Sequence, residues 1–405
     1  MVLIPFISVL YCHYSIVSGY VSRYIELESH AILHHGQFTT LAYDCMMGFA
    51  EDLIPVILES NHHWWERDLV RLALVSPAWL YHVRRRLYAA PSLHSFAACA
   101  SLARTLQFSP CLAALVHELA LQPSCVGSSH GSPKDRLAVR MLLGLKGLHS
   151  LILGGELAIR SERFLGFVSA VDTLERLHVD GRLLKTSLTS RASIEWSEDL
   201  TFRFPNLKSL RLTELDIDIN PIPIPLSLQW DELILHDARI VSGFLSHLVP
   251  EGSTVARLCV KTTDVCEYDE HLQMVLGSSN VYSLKYEVQK ANPSDGSFLE
   301  PRGLAGPHTL RLRHLELHGF HVDHGILSTV RQRCPEMEEL VVSSRSISVS
   351  PEDWRTYLTS GALPSLRTLR LTRGTNYPPY QPWSASGVKV LTEVASLRRI
   401  DFLPP

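Results

Sequence analysis

The hydrophobic positions change their period along the chain. Residues 1 to 48 show no sustained repeat, but from Phe49 apolar residues recur every three to four positions in short bursts. FAEDLIPVILES sets Leu53, Val56 and Ile57 on one helical stripe, with Glu51 and Asp52 where a helix dipole favours acids and Pro55 in the first turn. ERDLVRLALV places Leu69, Leu72 and Leu74 to Val75 on or near one face of a second helix, which ends at Val75. In the third, PAWLYHVRRRLYAA, Ser76 is the N-cap, Pro77 takes the first helical position where its missing N–H costs nothing, and Trp79, Val83 and Leu87 share a stripe. Trp79 is expected to pack back across the Ser76–Pro77 seam.

From VHELAL onward the period becomes two. The pattern L-x-x-L-x-L recurs in LHSLIL, LERLHV, LKSLRL, WDELIL, VARLCV, LRHLEL, MEELVV, LRTLRL and LRRIDF. Its central positions are residues 119, 151, 177, 210, 233, 258, 284, 315, 340, 369 and 400, with steps averaging about 28 residues. Such spacing predicts short strands whose alternate residues enter a core, returned through helices in SERFLGFVSAV, SGFLSHLV, DEHLQMVLG, GILSTVRQR and PEDWRTYLTS. INPIPIPLS, ANPSDGSFLEPRGLAGP and GTNYPPYQPWSASG are rich in Pro, Gly or Ser and are expected to be loops. Alternation sends the intervening residues to the opposite face: Arg176, His178, Asp180, Ser209, Arg211, Thr213, Glu232, His236, Arg257, Lys261, Lys285, Glu287, His314, Glu316, His318, Thr368 and Arg370. Any exposed strand face is polar; this one, of mixed charge, suits a protein ligand more than a phosphate polymer.

Composition adds exclusions. The 405 residues carry a formal charge of only -3, giving no bulk pull toward nucleic acid or membrane. Arg84, Arg85 and Arg86 form a basic run, and a solvated helix end accounts for them better than a nuclear-import or nucleic-acid patch. Eight cysteines lie scattered without C-x-x-C or zinc-ligand spacing, which points to reduced thiols in the cytoplasm or nucleus. The apolar start MVLIPFISVLYCHYSIVSGYV has no basic residue before Arg23 and is interrupted by Pro5, His13, Ser15 and Ser18, so an extension of poor order is expected over 1–48 in preference to a secretory signal or membrane span.

Candidate chemistry is sparse. His314, Glu316 and His318 share one side of a strand, but same-side residues lie about 6–7 Å apart along it, too spread to converge on a metal. His62 and His63, beside Trp64 and Trp65, read as a surface loop. Phosphate-loop, dinucleotide-binding, H-E-x-x-H and G-x-S-x-G motifs are missing, so no residue is assigned to catalysis and no cofactor or metal is expected.

Three short helices within about 40 residues bury too little to stand alone and are expected to dock on something. Their sequence resembles the F-box, especially as found in large fungal F-box families. The likeness runs from about Phe49 to Leu87 in EDLIPVIL, DLVRLALVSPAW and LYHVRRRLY, with Phe49-Ala50 where the family usually has Leu-Pro. The remainder is similar to the irregular leucine-rich repeats common in such proteins.

The resemblance implies an α/β architecture: a short three-helix F-box-like module followed by a solenoid with parallel strands inside and helices and loops outside. Its segments would be an extension over 1–48, the module with a linking helix over 49–110, and the repeats over 111–405. It implies a non-catalytic substrate-recognition subunit of an SCF-type ubiquitin ligase, with the small adaptor subunit, and through it a cullin, as partners beside a target protein. By motif position the adaptor-facing residues are Ile54, Ile57, Leu74, Val75, Ser76 and Trp79, although Leu74 and Trp79 equally suit packing within the module. The target-binding face would carry Arg176, His178, Arg211, His236, Arg257, Lys285, His314, Glu316, His318 and Arg370. The competing expectation is a repeat-based interaction scaffold whose degenerate F-box does not bind the ligase.

Overall fold

The structure, a computed structural model, describes residues 51–60, 66–124, 133–184, 191–221, 228–264, 267–290, 297–299, 309–343, 346–372, 374–375 and 381–403. The expected extension over 1–48, Phe49-Ala50, the His62–Trp65 loop and most of the first two Pro- and Gly-rich loops lie outside the described residues. The architecture is α/β with parallel strand pairing, and the chain divides into two units between Leu148 and His149. The boundary near 110 that the resemblance implies falls inside the first unit.

The first unit begins with α1 (Leu53–Ser60), α2 (Glu66–Ala73) and α3 (Pro77–Ala89). Ile54, Leu58, Leu69, Ala73 and Val83 form their core, and Leu72, Ala78, Trp79, Leu80 and Leu87 pack against it. Ser76 has extended backbone, as the residue before a proline must, and its Oγ accepts from the Trp79 N–H at 3.3 Å.

Two expectations need correction. α1 buries Ile54 and Leu58, at 1% and 2% exposed, while Leu53 and Val56 of the expected stripe are 49% and 59% exposed. LIPVIL is apolar around most of the helix, so its period does not select a face, and packing against α3 does. The second correction is that α2 stops at Ala73 instead of Val75. The Leu74 and Val75 N–H groups reach back only three residues, to Arg71 and Leu72, a tightened last turn forced by the extended Ser76 before Pro77.

Beyond α3, β1 (Ser92–Leu93) pairs in parallel with β2 (Glu118–Leu121). Between them lie α4 (Phe96–Phe108) and α5 (Pro110–Ala113), and α6 (Pro133–Leu143) follows. α4 buries Cys99, Leu102, Ala103 and Leu106, and α6 buries Ala138, Val139, Leu142 and Leu143, each at helical spacing.

In the second unit the strands β3 (Ser150–Gly154), β4 (Arg176–Asp180), β6 (Ser209–Thr213), β8 (Gln229–His236), β10 (Thr254–Asp264), β11 (Asn280–Lys290), β12 (His314–His318), β14 (Glu339–Ser343), β16 (Thr368–Leu371) and β19 (Asp401–Leu403) pair side by side, all in parallel. Their register aligns the central leucines of the sequence pattern: Leu151, Leu177, Leu210, Leu233, Leu258, Leu284, Leu315, Leu340 and Leu369 stand opposite one another in turn. None of them is more than 1% exposed. The last expected position is two residues off, since Leu369 faces Phe402 and not Ile400. Ile400 belongs to the turn that includes Arg399 at φ 57, before β19 begins.

Shorter ladders lie beside the main one. Glu214 and Asp237, each at φ 50, turn the chain out of β6 and β8. It then runs into β7 (Asp216–Ile219) and β9 (Arg239–Ser242), and β7 pairs in parallel with β9 on one side and with β5 (Ser193–Trp196) on the other. β13 (His321–Val322) and β15 (Ser346–Ile347) form a second parallel pair, and β17 (Gly374–Thr375) with β18 (Gln381–Pro382) an antiparallel one.

The return segments are helical where expected: α7 (Glu162–Leu165), α9 (Leu245–Leu248), α10 (Asp269–Ser278), α11 (His324–Arg333) and α12 (Pro351–Thr359), joined by α8 (Glu198–Arg203). α12 opens on a capping box, Ser350 Oγ accepting from the Asp353 N–H while Asp353 Oδ2 accepts from the Ser350 N–H. GTNYPPYQPWSASG is not loop throughout, because Ser384 accepts from the Gly387 N–H and starts α13 (Ala385–Leu397). Among the described residues no helix is long and apolar enough to cross a membrane.

Candidate functional site

Two surfaces carry the residues singled out from the sequence, one in each unit. In the first, the α2–α3 turn presents Leu74 and Val75, 70% and 64% exposed. Their exposure follows from the early stop of α2, which lifts both side chains off the core. The other four residues of that set are engaged internally to differing degrees. Ser76 caps α3, and Trp79 lies half-buried against the three-helix core. Ile57 is half-buried, and Ile54, 1% exposed, belongs to the three-helix core.

In the second unit, strand alternation and parallel register stack the outward residues into three rows. One runs Arg176, Ser209, Glu232, Arg257, Ser283, His314, Glu339 and Thr368. The middle row runs Ile152, His178, Arg211, Ile234, Cys259, Lys285, Glu316, Val341 and Arg370. The third runs Gly154, Asp180, Thr213, His236, Lys261, Glu287, His318 and Ser343. The strand-face residues singled out from the sequence therefore stand on one side of one sheet. Sequence reading passed over Cys259 and Glu339, although both share the parity of their charged neighbours.

Charges on β8 to β16 largely satisfy each other across strands. Arg257 reaches Glu232 at 3.3 Å, Lys261 donates to Glu287 at 2.6 Å, and Lys285 lies 3.2 Å from Glu316. Glu339 lies 3.4 Å from His314 and 3.7 Å from Arg370. The His318 and Lys285 bonds hold the Glu316 carboxyl down at about 2, partial burial opposing them. Burial also opposes ionisation of Glu287, but the Lys261 bond keeps its carboxyl below the ordinary range.

The β4–β8 part of the face is different. Burial pushes the His178 imidazole down to about 4, the Arg211 and Arg182 charges adding to it and Asp180 opposing. Its Nε2 lies 3.2 Å from Thr213 Oγ1. His236 is lowered by burial, Arg211 and Lys261, and its Nε2 lies 3.5 Å from Cys259 Sγ, whose own pKa burial raises. Near neutral pH the two imidazoles and the thiol are thus uncharged, leaving the arginines as the cations here.

His314, Glu316 and His318 do not converge: His314 turns to Glu339, while His318 bonds Glu316 at 3.3 Å. Among the described residues no three His, Cys, Asp or Glu side chains are gathered to hold a metal ion. Cavities of about 310 Å³, between Trp196, Phe204, Lys208 and Trp230, and about 530 Å³, beside Gly181, Glu214, Asp216 and Asp237, are not lined by the three rows.

No protein-family model matches the chain, and no curated protein matches it.

Proposed function

We propose that this protein is the non-catalytic substrate-recognition subunit of an SCF-type ubiquitin ligase. In this reading the three-helix module is an F-box that docks the small adaptor subunit, and the strand ladder is an irregular leucine-rich-repeat solenoid that holds a target protein. Ubiquitin transfer belongs to partner subunits, and the chain works in the cytoplasm or nucleus.

The observation that carries the reading is the α2–α3 turn. Leu74 and Val75 are exposed large apolar side chains at adjacent positions of one turn, beside a small core of Ile54, Leu58, Leu69, Ala73 and Val83. Burying such a side chain against a partner contributes about 1.5–3 kcal/mol. The single-file register of the strand face, which exposes side chains from many strands together, supports its use as a protein-binding surface.

Affinity capture with the full-length chain tests the docking half. Wild type is expected to bring down the adaptor and a cullin, and the Leu74→Ser, Val75→Asp double variant to lose both while its thermal midpoint stays unchanged. Failure of wild type to capture the adaptor would leave the chain an interaction scaffold and remove the ligase reading.

A further inference from the structure

Arg211 differs from the other cations on the strand face. Directly opposite it stand His178 on β4 and Ile234 on β8, with Ser209 and Thr213 beside it on β6. The carboxylates one diagonal step away are already committed. Asp180 is 2% exposed and accepts from Arg182 Nε through both oxygens, at 2.9 and 3.0 Å. Glu232 accepts from Arg257 Nη1 at 3.3 Å. Arg211 forms no ion pair among the described residues, and its Nε–H is buried without an acceptor. The enclosed Nε–H is out of an incoming ligand's reach, but a half-buried guanidinium with no carboxylate partner favours an oxyanion at its accessible nitrogens.

We infer that Arg211 anchors an acidic side chain, a carboxylate or a phosphate, of a polypeptide laid along the β4–β8 strands. The inference deepens the proposed target-binding role of this face and rests on it. His236 and Arg176 occupy the remaining diagonal positions, so a second cation stands near on β4 and an imidazole on β8. Ile234, 9% exposed, supplies hydrocarbon beside the guanidinium and lowers local screening. Glu232, Glu287, Glu316 and Glu339, spread along the neighbouring strands, oppose a continuous polyanion and leave room for one anionic group. These charges favour an acidic protein segment over a nucleic acid.

The test uses the full-length protein and four labelled probes: an alanine-based peptide carrying glutamates, the same peptide with glutamines, the same with phosphoserines, and a single-stranded oligonucleotide. Wild type is expected to bind the glutamate or phosphoserine peptide about tenfold or more tightly than the glutamine one, as expected for a charge-assisted bond. Whichever acidic probe binds identifies the oxyanion. Arg211→Gln should abolish that preference, whereas Arg355→Gln, which removes an equal charge from α12, where it is paired with Glu352, should keep it. Equal binding of charged and neutral peptides, binding of none of the peptides, equal losses in the two variants, or preference for the oligonucleotide would each overturn the inference. Adaptor capture reads Leu74 and Val75, so its failure leaves this result standing, and Arg211→Gln should still capture the adaptor.

Discussion

At the scale of single residues, backbone and burial decide most outcomes. Gly319 has φ +80, and a Cβ placed there would overlap the carbonyl oxygen of Val288. Gly319→Ala is therefore expected to cost about 2 kcal/mol or more, read as a drop in the urea midpoint. Titration of His178 gives a second outcome. Its folded pKa, about 4, lies below the ordinary 6.5, so between those values the unfolded chain binds more protons and stability rises with pH. The His236 and His271 imidazoles, also lowered chiefly by burial, act in the same direction. His178→Gln should flatten the pH dependence of the unfolding midpoint from about pH 6.5 down to about pH 4. An unchanged slope would mean that His178 takes its proton without unfolding.

At the scale of elements, the α2–α3 seam separates side chains that hold the fold from side chains that present a surface. Leu69 is 5% exposed within the three-helix core, and Leu69→Ala should cost about 2–5 kcal/mol. Ser76→Ala removes the cap of α3 and should cost about 1 kcal/mol. Val75→Asp, on the exposed turn, should change stability by no more than about 0.5 kcal/mol. Chemical denaturation of the three variants orders them, and a large loss at Val75 would show that its side chain is structural. The seam itself was legible, because Ser-Pro before a helical run specifies a cap and a first-turn proline locally. The buried face of α1 was not, since Leu53, Ile54, Val56, Ile57 and Leu58 leave almost no polar side to orient it.

At the scale of the molecule, each strand of the long ladder pairs with its neighbours in sequence order, so opening can proceed from an end without disrupting distant strands. Native-state hydrogen exchange should find the amides of β10 and β11, whose nine-residue parallel register is flanked on both sides, protected longest. Those of β19, paired on one side with β16 over three residues, should exchange first. Uniform protection along the ladder would contradict this gradient and mark the second unit as a single cooperative block.

The sequence by itself determined where the ladder strands lie and which side of each is buried. Parity along a strand is a local property, and leucines at the same place in each L-x-x-L-x-L copy align one above another once neighbouring strands pair in parallel. It also determined the capped start of α3. Only the tertiary structure decided which charges on the exposed face cancel. Lys261 and Glu287 are 26 residues apart in the chain yet 2.6 Å apart in space, a partnership set by register between strands and by nothing within either one. The same register gives Glu232 to Arg257, while a local turn gives Asp180 to Arg182, and Arg211 is left with no carboxylate of its own. A row of alternating charges in sequence reads as uniformly polar, but a stack of strands in register makes one of its members different from the rest.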